Sequence, residues 1–168
     1  MAADAMFKPL TVSVMLDSNG SNTTAVAAVS KLQRGAGTLQ GRRAVVTAGT
    51  GPVGARAAGL LAMSGANVTI TSRRQADAAF VEGLGRRFGG TVASVVMPDG
   101  SGAAAVLEGA ELLLNAGPAG VRLVPLSAWA GAGLRAAADV NAVPPSGVEG
   151  IDVRDDGAER ESTIVFGA

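Results

Sequence analysis

One six-residue run in this sequence has the types and spacing needed to hold a phosphate anion. Gly49, Thr50, Gly51, Pro52, Val53 and Gly54 form G-x-G-x-x-G. In such a loop the first glycine permits a tight turn and the second lets backbone approach a pyrophosphate. The third allows close helix–strand packing, and the N-terminus of the following helix attracts negative charge. With 24 glycines in 168 residues the pattern alone is weak, and G-x-G-x-x-A variants start at Gly100 and Gly131. Context separates them. Gly49 comes directly off the β-type run AVVT (44–47) and opens a helical stretch from Val53 to Met63. Together they fit a strand–helix–strand unit of about 30 residues, the setting in which the fingerprint binds a dinucleotide.

About 20 residues past such a loop, the second strand ends at the group that meets the adenosine ribose. An NAD-selective site carries Asp or Glu there. Here VTIT (68–71) runs into Ser72, Arg73 and Arg74. A hydroxyl followed by two guanidiniums suits a 2′-phosphate through charge-assisted hydrogen bonds. NADP is therefore the preferred cofactor, with NAD also acceptable. The alternative is a solvated basic turn that precedes a helix.

A second polar concentration lies near the N-terminus. LDSNGSNTT (16–24) packs seven side-chain donors or acceptors around one glycine. Asp17, Asn19, Ser21 and Asn22 are candidates for positioning a substrate, Asp17 also for stabilising charge on it. The competing role is an Asx-turn and helix cap, which needs only one or two such residues.

These loops need a scaffold, and the hydrophobic pattern supplies one. Short β-rich runs alternate with Ala-rich helical segments, as in a parallel α/β sheet. Strands are expected over Thr11–Leu16, Arg43–Ala48, Asn67–Thr71, Thr91–Met97, Glu111–Asn115, Leu134–Val140 and Ile164–Phe166. Helices are expected from Ser21 to about Arg34, over Val53–Met63 and Gln75–Phe88, and in shorter pieces near 101–108 and 125–130. The Gly-rich stretch 35–41 marks a boundary near residue 40. Asn115, Ala116 and Gly117 end one strand, and Asp139 and Asn141 another, on the carboxyl edge where open α/β sheets bind ligands. Ala116 and Gly117 are expected near the nicotinamide ribose. Asp139 and Asn141 are candidates for the carboxamide, with a turn cap as the alternative for Asp139. Trp129 reads as core packing.

Composition removes whole classes of chemistry. The 168 residues contain no His, Cys or Tyr, and 14 basic residues balance 14 acidic ones. Disulfides, the usual zinc ligand sets, Cys nucleophiles and Ser-His-Asp triads are excluded for this segment. No metal is expected. Zero net charge disfavours nucleic-acid and membrane-surface partners. The first ten residues lack a secretory pattern, so a cytoplasmic location is expected.

TVSVMLDSNGSNTT (11–24) followed by AGTGPVG (48–54) closely resembles the NAD(P)-dependent methylene-tetrahydromethanopterin dehydrogenases of methylotrophic bacteria. NAG (115–117), ADVNA (138–142), Pro144-Pro145, GID (150–152) and FGA (166–168) fall where that family has similar runs. The resemblance covers nearly the whole chain. It implies a doubly wound, mostly parallel Rossmann-type sheet (residues 41–168). Residues 1–40 would belong to the pterin-side domain, as the remnant of a second, substrate domain. It further implies hydride transfer from a methylene-tetrahydropterin carrier, or methylene-tetrahydrofolate, to NADP or NAD in one-carbon metabolism and formaldehyde oxidation. Homo-oligomerisation is expected as well. Family members extend further at both ends, so the chain is expected to be part of a longer enzyme.

That reaction fits the missing residue types. Hydride leaves an N-CH2-N carbon whose cation the nitrogens stabilise, so no proton need be removed. The protein must align carbon and nicotinamide and exclude water. Alcohol oxidation would need a general base, for which this chain offers only carboxylates. A shikimate-type or methylene-tetrahydrofolate dehydrogenase on the same architecture is the rival enzyme, disfavoured by the position of Lys8 for shikimate chemistry. A non-catalytic NADP-binding module is the rival of another class.

Overall fold

The structure, a computed structural model, describes residues 16–167. The strand expected over Thr11–Leu16 and the residue Lys8 lie outside them, Leu16 excepted. Within them, the strands that read as unbroken apolar runs are those covered on both faces, as parallel strands are. In β1 (Arg43–Thr47), β4 (Leu112–Asn115) and β5 (Ala136–Asp139) every residue but Arg43 is buried. β2 (Asn67–Ser72) flanks β1, and β3 (Val92–Val96) forms an edge. The sheet has seven strands in the order β3-β2-β1-β4-β5-β7-β6. All neighbours are parallel except β6 (Asp156–Arg160), which runs antiparallel to β7 (Thr163–Phe166). The order is the doubly wound one, and the direction in which strands are added to the sheet reverses between β1 and β4.

Successive strand residues point to opposite faces, so each face gathers its own core. On one side α1 (Ser21–Ala36) and α2 (Pro52–Met63) pack Ala28, Leu32, Ala58 and Leu61 against Val46, Ile70, Leu114 and Phe166. α3 (Ala78–Phe88) packs beside α2. On the other side α4 (Ala103–Leu107) and α5 (Leu126–Trp129) cover Val45, Leu113, Ala137 and Val165. Trp129 is fully buried there and donates its indole N–H to the Glu149 carbonyl at 2.9 Å. α1 thus shares one apolar cluster with the sheet that residues 43–166 build.

Two elements differ from the sequence reading. α3 starts at Ala78 rather than Gln75, because the Asp77 carboxylate accepts from the Ala79 N–H at 2.7 Å and caps the helix. The strand β6 was not expected at all. Its sequence DGAER is mostly exposed and polar, so hydrophobic patterning carries no trace of it. It forms a hairpin with β7 across Glu161 and Ser162, whose φ values of 50° and 60° suit a mirror-type two-residue turn. Arg160 holds the hairpin to Asp155 through two hydrogen bonds of 2.7 Å.

Candidate functional site

The carboxyl ends of β1, β2 and β4 surround the reversal point, and the glycine loop sits on it. After Thr47 the left-handed turn is made by Ala48, with φ 52°, rather than by Gly49. Gly49 is demanded by packing instead: a Cβ there would lie 2.4 Å from Ile70 Cβ, while its N–H donates to the Thr71 carbonyl at 2.8 Å. A Cβ on Gly54 would lie 2.6 Å from the Ala48 carbonyl, which is the close helix–strand approach expected of the third glycine. Gly51 is different. A Cβ there would make only an ordinary 3.4 Å contact, and its φ of −75° suits any residue. Gly51 also caps α2 without a side chain, and Pro52 follows at the first helical turn, so no side chain closes this helix N-terminus.

Beside the loop, Ser72 is buried at the end of β2 and donates its hydroxyl to the Arg74 carbonyl at 2.6 Å, which shapes the turn. Arg73 and Arg74 are exposed. They line a cavity of about 550 Å³ with Thr50, Ser72, Asp77 and Phe80. An adjoining hollow of about 430 Å³ runs from Thr50 and Gly51 to Met97, Pro98, Ala116 and Leu123. Met97, Pro98 and Leu123 were not anticipated as site residues. The signal was available, since Met97 and Pro98 directly follow β3 on the same carboxyl edge.

On the far side of the reversal point the polar strand ends form a buried network. Thr47 donates its hydroxyl to Asn115 Oδ1 at 2.5 Å, and the Gly117 N–H donates to the same oxygen at 3.1 Å. Asn115 Nδ2 donates to Asp139 Oδ1 at 2.7 Å. Asp139 also accepts the N–H of Asn141 at 3.0 Å and that of Val148 at 2.9 Å. Asn141 Nδ2 donates to the Gly117 carbonyl. Asp139 is 1% exposed with both oxygens engaged, which matches the turn-cap alternative rather than a carboxylate held out to a ligand.

The polar loop before α1 is likewise occupied with its own chain. Asp17 accepts the N–H groups of Asn22 and Thr23 at 2.9 Å each and the Thr23 hydroxyl at 2.7 Å. The Thr23 hydroxyl, the two backbone N–H groups and the nearby Arg56 charge hold the Asp17 carboxyl below its ordinary value, against a desolvation effect of opposite sign. Asn19 Oδ1 accepts from the N–H and hydroxyl of Ser21. Asn22 accepts from Arg56 Nε on α2, so the two helix N-termini are joined side by side. The density of polar groups that suggested a substrate loop is thus largely spent on ending one helix and linking it to another. Of these candidates, Asn22 lines a hollow of about 380 Å³ with Ala55, Arg56 and Phe80, on the outer side of α2. Thr24, further along α1, lines a smaller hollow of about 280 Å³ with Lys31 and Asp139.

No family model matches the sequence. Two curated proteins of Methylorubrum extorquens do. The bifunctional protein MdtA is 43% identical over 165 residues, covering 96% of this chain and 57% of its own length. An NAD(P)-dependent methylenetetrahydromethanopterin dehydrogenase is 35% identical over 164 residues, covering 90% of this chain and 54% of its own length. The chain therefore spans about half the length of the curated relatives it matches. Among solved structures, a transhydrogenase from Sinorhizobium meliloti aligns with a TM-score of 0.68 at 17% identity, over 88% of this chain and 47% of that one. An L-alanine dehydrogenase aligns with 0.62 at 19% identity, over 88% and 46%. At such identities the likeness shows the fold, a Rossmann-like α/β sheet. No helix among the described residues is long and apolar enough to cross a membrane.

Proposed function

We propose that this chain is the nucleotide-binding part of an NAD(P)-dependent dehydrogenase that takes hydride from methylene-tetrahydromethanopterin, with methylene-tetrahydrofolate as a second carrier. The observation that carries the cofactor half is the coincidence of an uncapped α2 N-terminus behind Gly51 with two exposed guanidiniums at the end of β2. Similarity to two methylotroph proteins along most of the chain, one of them named for this reaction, supports the substrate half.

In this reading Gly49, Thr50, Gly51, Pro52, Val53 and Gly54 cradle the diphosphate, with backbone N–H groups at the start of α2 as donors. Ser72 fixes the turn that presents Arg73 and Arg74 to a 2′-phosphate, so NADP is preferred over NAD. Met97 and Pro98 give the adenine an apolar bed, and Leu123 closes the hollow on the side of Ala116. Ala116, Gly117 and Asn141 lie toward the nicotinamide half. When bound, the nicotinamide supplies the hydride acceptor. The chain binds, aligns and excludes water, and none of its groups is required to take a proton. Asp17, Asn19, Ser21 and Asn22 act on the pterin side only indirectly, by ordering the turn into α1 through their own hydrogen bonds. α1 carries the chain from that side onto the nucleotide sheet, whose apolar core it shares. A cytoplasmic homo-oligomer completes the proposal.

Calorimetric titration with NADP and NAD tests it. NADP is expected to bind more tightly, and Arg73→Ala to weaken NADP by about tenfold or more while changing NAD little. Equal losses overturn the 2′-phosphate role, and failure to bind either dinucleotide overturns the site. Oxidation of methylene-tetrahydromethanopterin, assayed with the flanking regions of a full-length relative joined to this chain, tests the substrate. NADP binding without turnover in that fusion would leave a non-catalytic binding module.

A further inference from the structure

The strand ends opposite the arginines hold an arrangement that packing does not require. β4 and β5 are apolar until their last residues, then place Asn115 and Asp139 side by side in the interior, at 0% and 1% exposure. Burying such groups is costly unless every donor and acceptor is matched. Here they are matched, and no buried side-chain polar atom among the described residues lacks a partner. Apolar side chains would fill the same space without that demand.

The network does something an apolar core cannot. It grips two loops at once. Asn115 Oδ1 holds the Gly117 N–H, and Asn141 holds the Gly117 carbonyl, so this residue is clamped at both ends. Asp139 holds the start and the return of the loop 140–148 through the N–H groups of Asn141 and Val148. That loop in turn receives the N–H groups of Leu123 and Val124 on the Gly147 carbonyl at 2.9 Å each. Thr47 ties the whole assembly to β1, the strand that feeds the glycine loop. The loops 116–124 and 140–148 are therefore tied to each other and to β1 by hydrogen bonds from beneath the reversal point.

We infer that Thr47, Asn115 and Asp139 are positioning residues that fix these two loops and, through them, the placement of the nicotinamide half of the dinucleotide. The inference rests on the proposed function, since it presumes that a dinucleotide spans the reversal point with its adenosine toward Arg73. It assigns Asp139 no direct contact with the cofactor.

The test compares NADP with adenosine 2′,5′-bisphosphate, which carries the 2′-phosphoadenosine half alone, without the nicotinamide or its ribose. Asp139→Asn keeps the volume but turns an amide N–H toward N–H donors. It is expected to weaken NADP by about tenfold and adenosine 2′,5′-bisphosphate by no more than about twofold. Thr47→Val is fully buried, nearly isosteric and away from the ligand, so it serves if Asp139→Asn fails to fold. The same selective loss, of about threefold, is expected from it. Parallel losses for both molecules, or no loss for either, overturn the positioning role. A wild-type chain that binds neither overturns the proposed function itself.

Discussion

The N-termini of α1 and α2 lie next to each other, joined by Asn22 and Arg56, and they end in opposite ways. At α1 the carboxylate of Asp17, just before the helix, accepts from two backbone N–H groups and a hydroxyl. At α2 the cap is Gly51, with no side chain to offer, followed by proline. Every helix N-terminus presents unsatisfied N–H groups and partial positive charge. One of these two is closed by the protein's own anion. The other has no side-chain cap of its own. In the proposed function that open end receives the dinucleotide's phosphates, so the difference would separate a polar loop that builds structure from a glycine loop that binds a ligand.

Substitutions can break this comparison. The largest effect is expected at Gly54, where Gly54→Ala forces a Cβ against the Ala48 carbonyl. Thermal unfolding should show a loss of about 1–3 kcal/mol, and an unchanged melting temperature would mean that the close approach is not needed. Gly51→Ala should do the reverse. It has room for the Cβ, so stability is expected to fall by no more than about 1 kcal/mol, the cost of alanine at a helix N-cap, while NADP affinity, read by titration, falls about tenfold. Loss of stability with intact binding would make Gly51 structural and erase the contrast.

At α1 the expected effect is smaller and depends on pH. The folded chain holds the Asp17 carboxyl below its ordinary value, so the stabilisation is present above that value and is lost as pH falls through the lowered one. The melting temperature of the wild type should therefore exceed that of Asp17→Asn at pH 7, and the two should converge below about pH 4. A constant gap across that range would show that ionised Asp17 does not close α1. The smallest effect is expected from Arg56→Ala, which removes the bridge between the two helices. Its cost should be about 0.5 kcal/mol by chemical denaturation, and a much larger cost would mean that the two N-termini depend on each other.

Elements with a continuous apolar run or a clear cap were legible along the chain. β1, β4 and β5 follow from unbroken Val, Leu and Ala segments, and α2 from its start behind the glycine loop to its stop before Gly65. The hairpin was not, because Asp156–Arg160 is an exposed edge strand whose pairing comes from β7, not from any hydrophobic face of its own. In the site, the glycine fingerprint and the Arg73–Arg74 pair stand out in sequence because backbone geometry and charge restrict the residue types. Met97, Pro98 and Leu123 do not, since ordinary apolar residues become site walls only through the loops that bring them together.

The sequence by itself determined most of the strands and helices, the place of the glycine loop and the absence of His, Cys and Tyr from this segment. Those properties are local, or are set by composition. Only the tertiary structure decided which polar residues are spent internally. Asp17 and Asp139 are both aspartates in polar loops, and nothing in their neighbours' identity shows that one carboxylate closes a helix while the other binds two loops beneath the site. Hydrogen-bond partners are a property of folded geometry. An acceptor surrounded by N–H groups from its own chain has little left to offer a ligand.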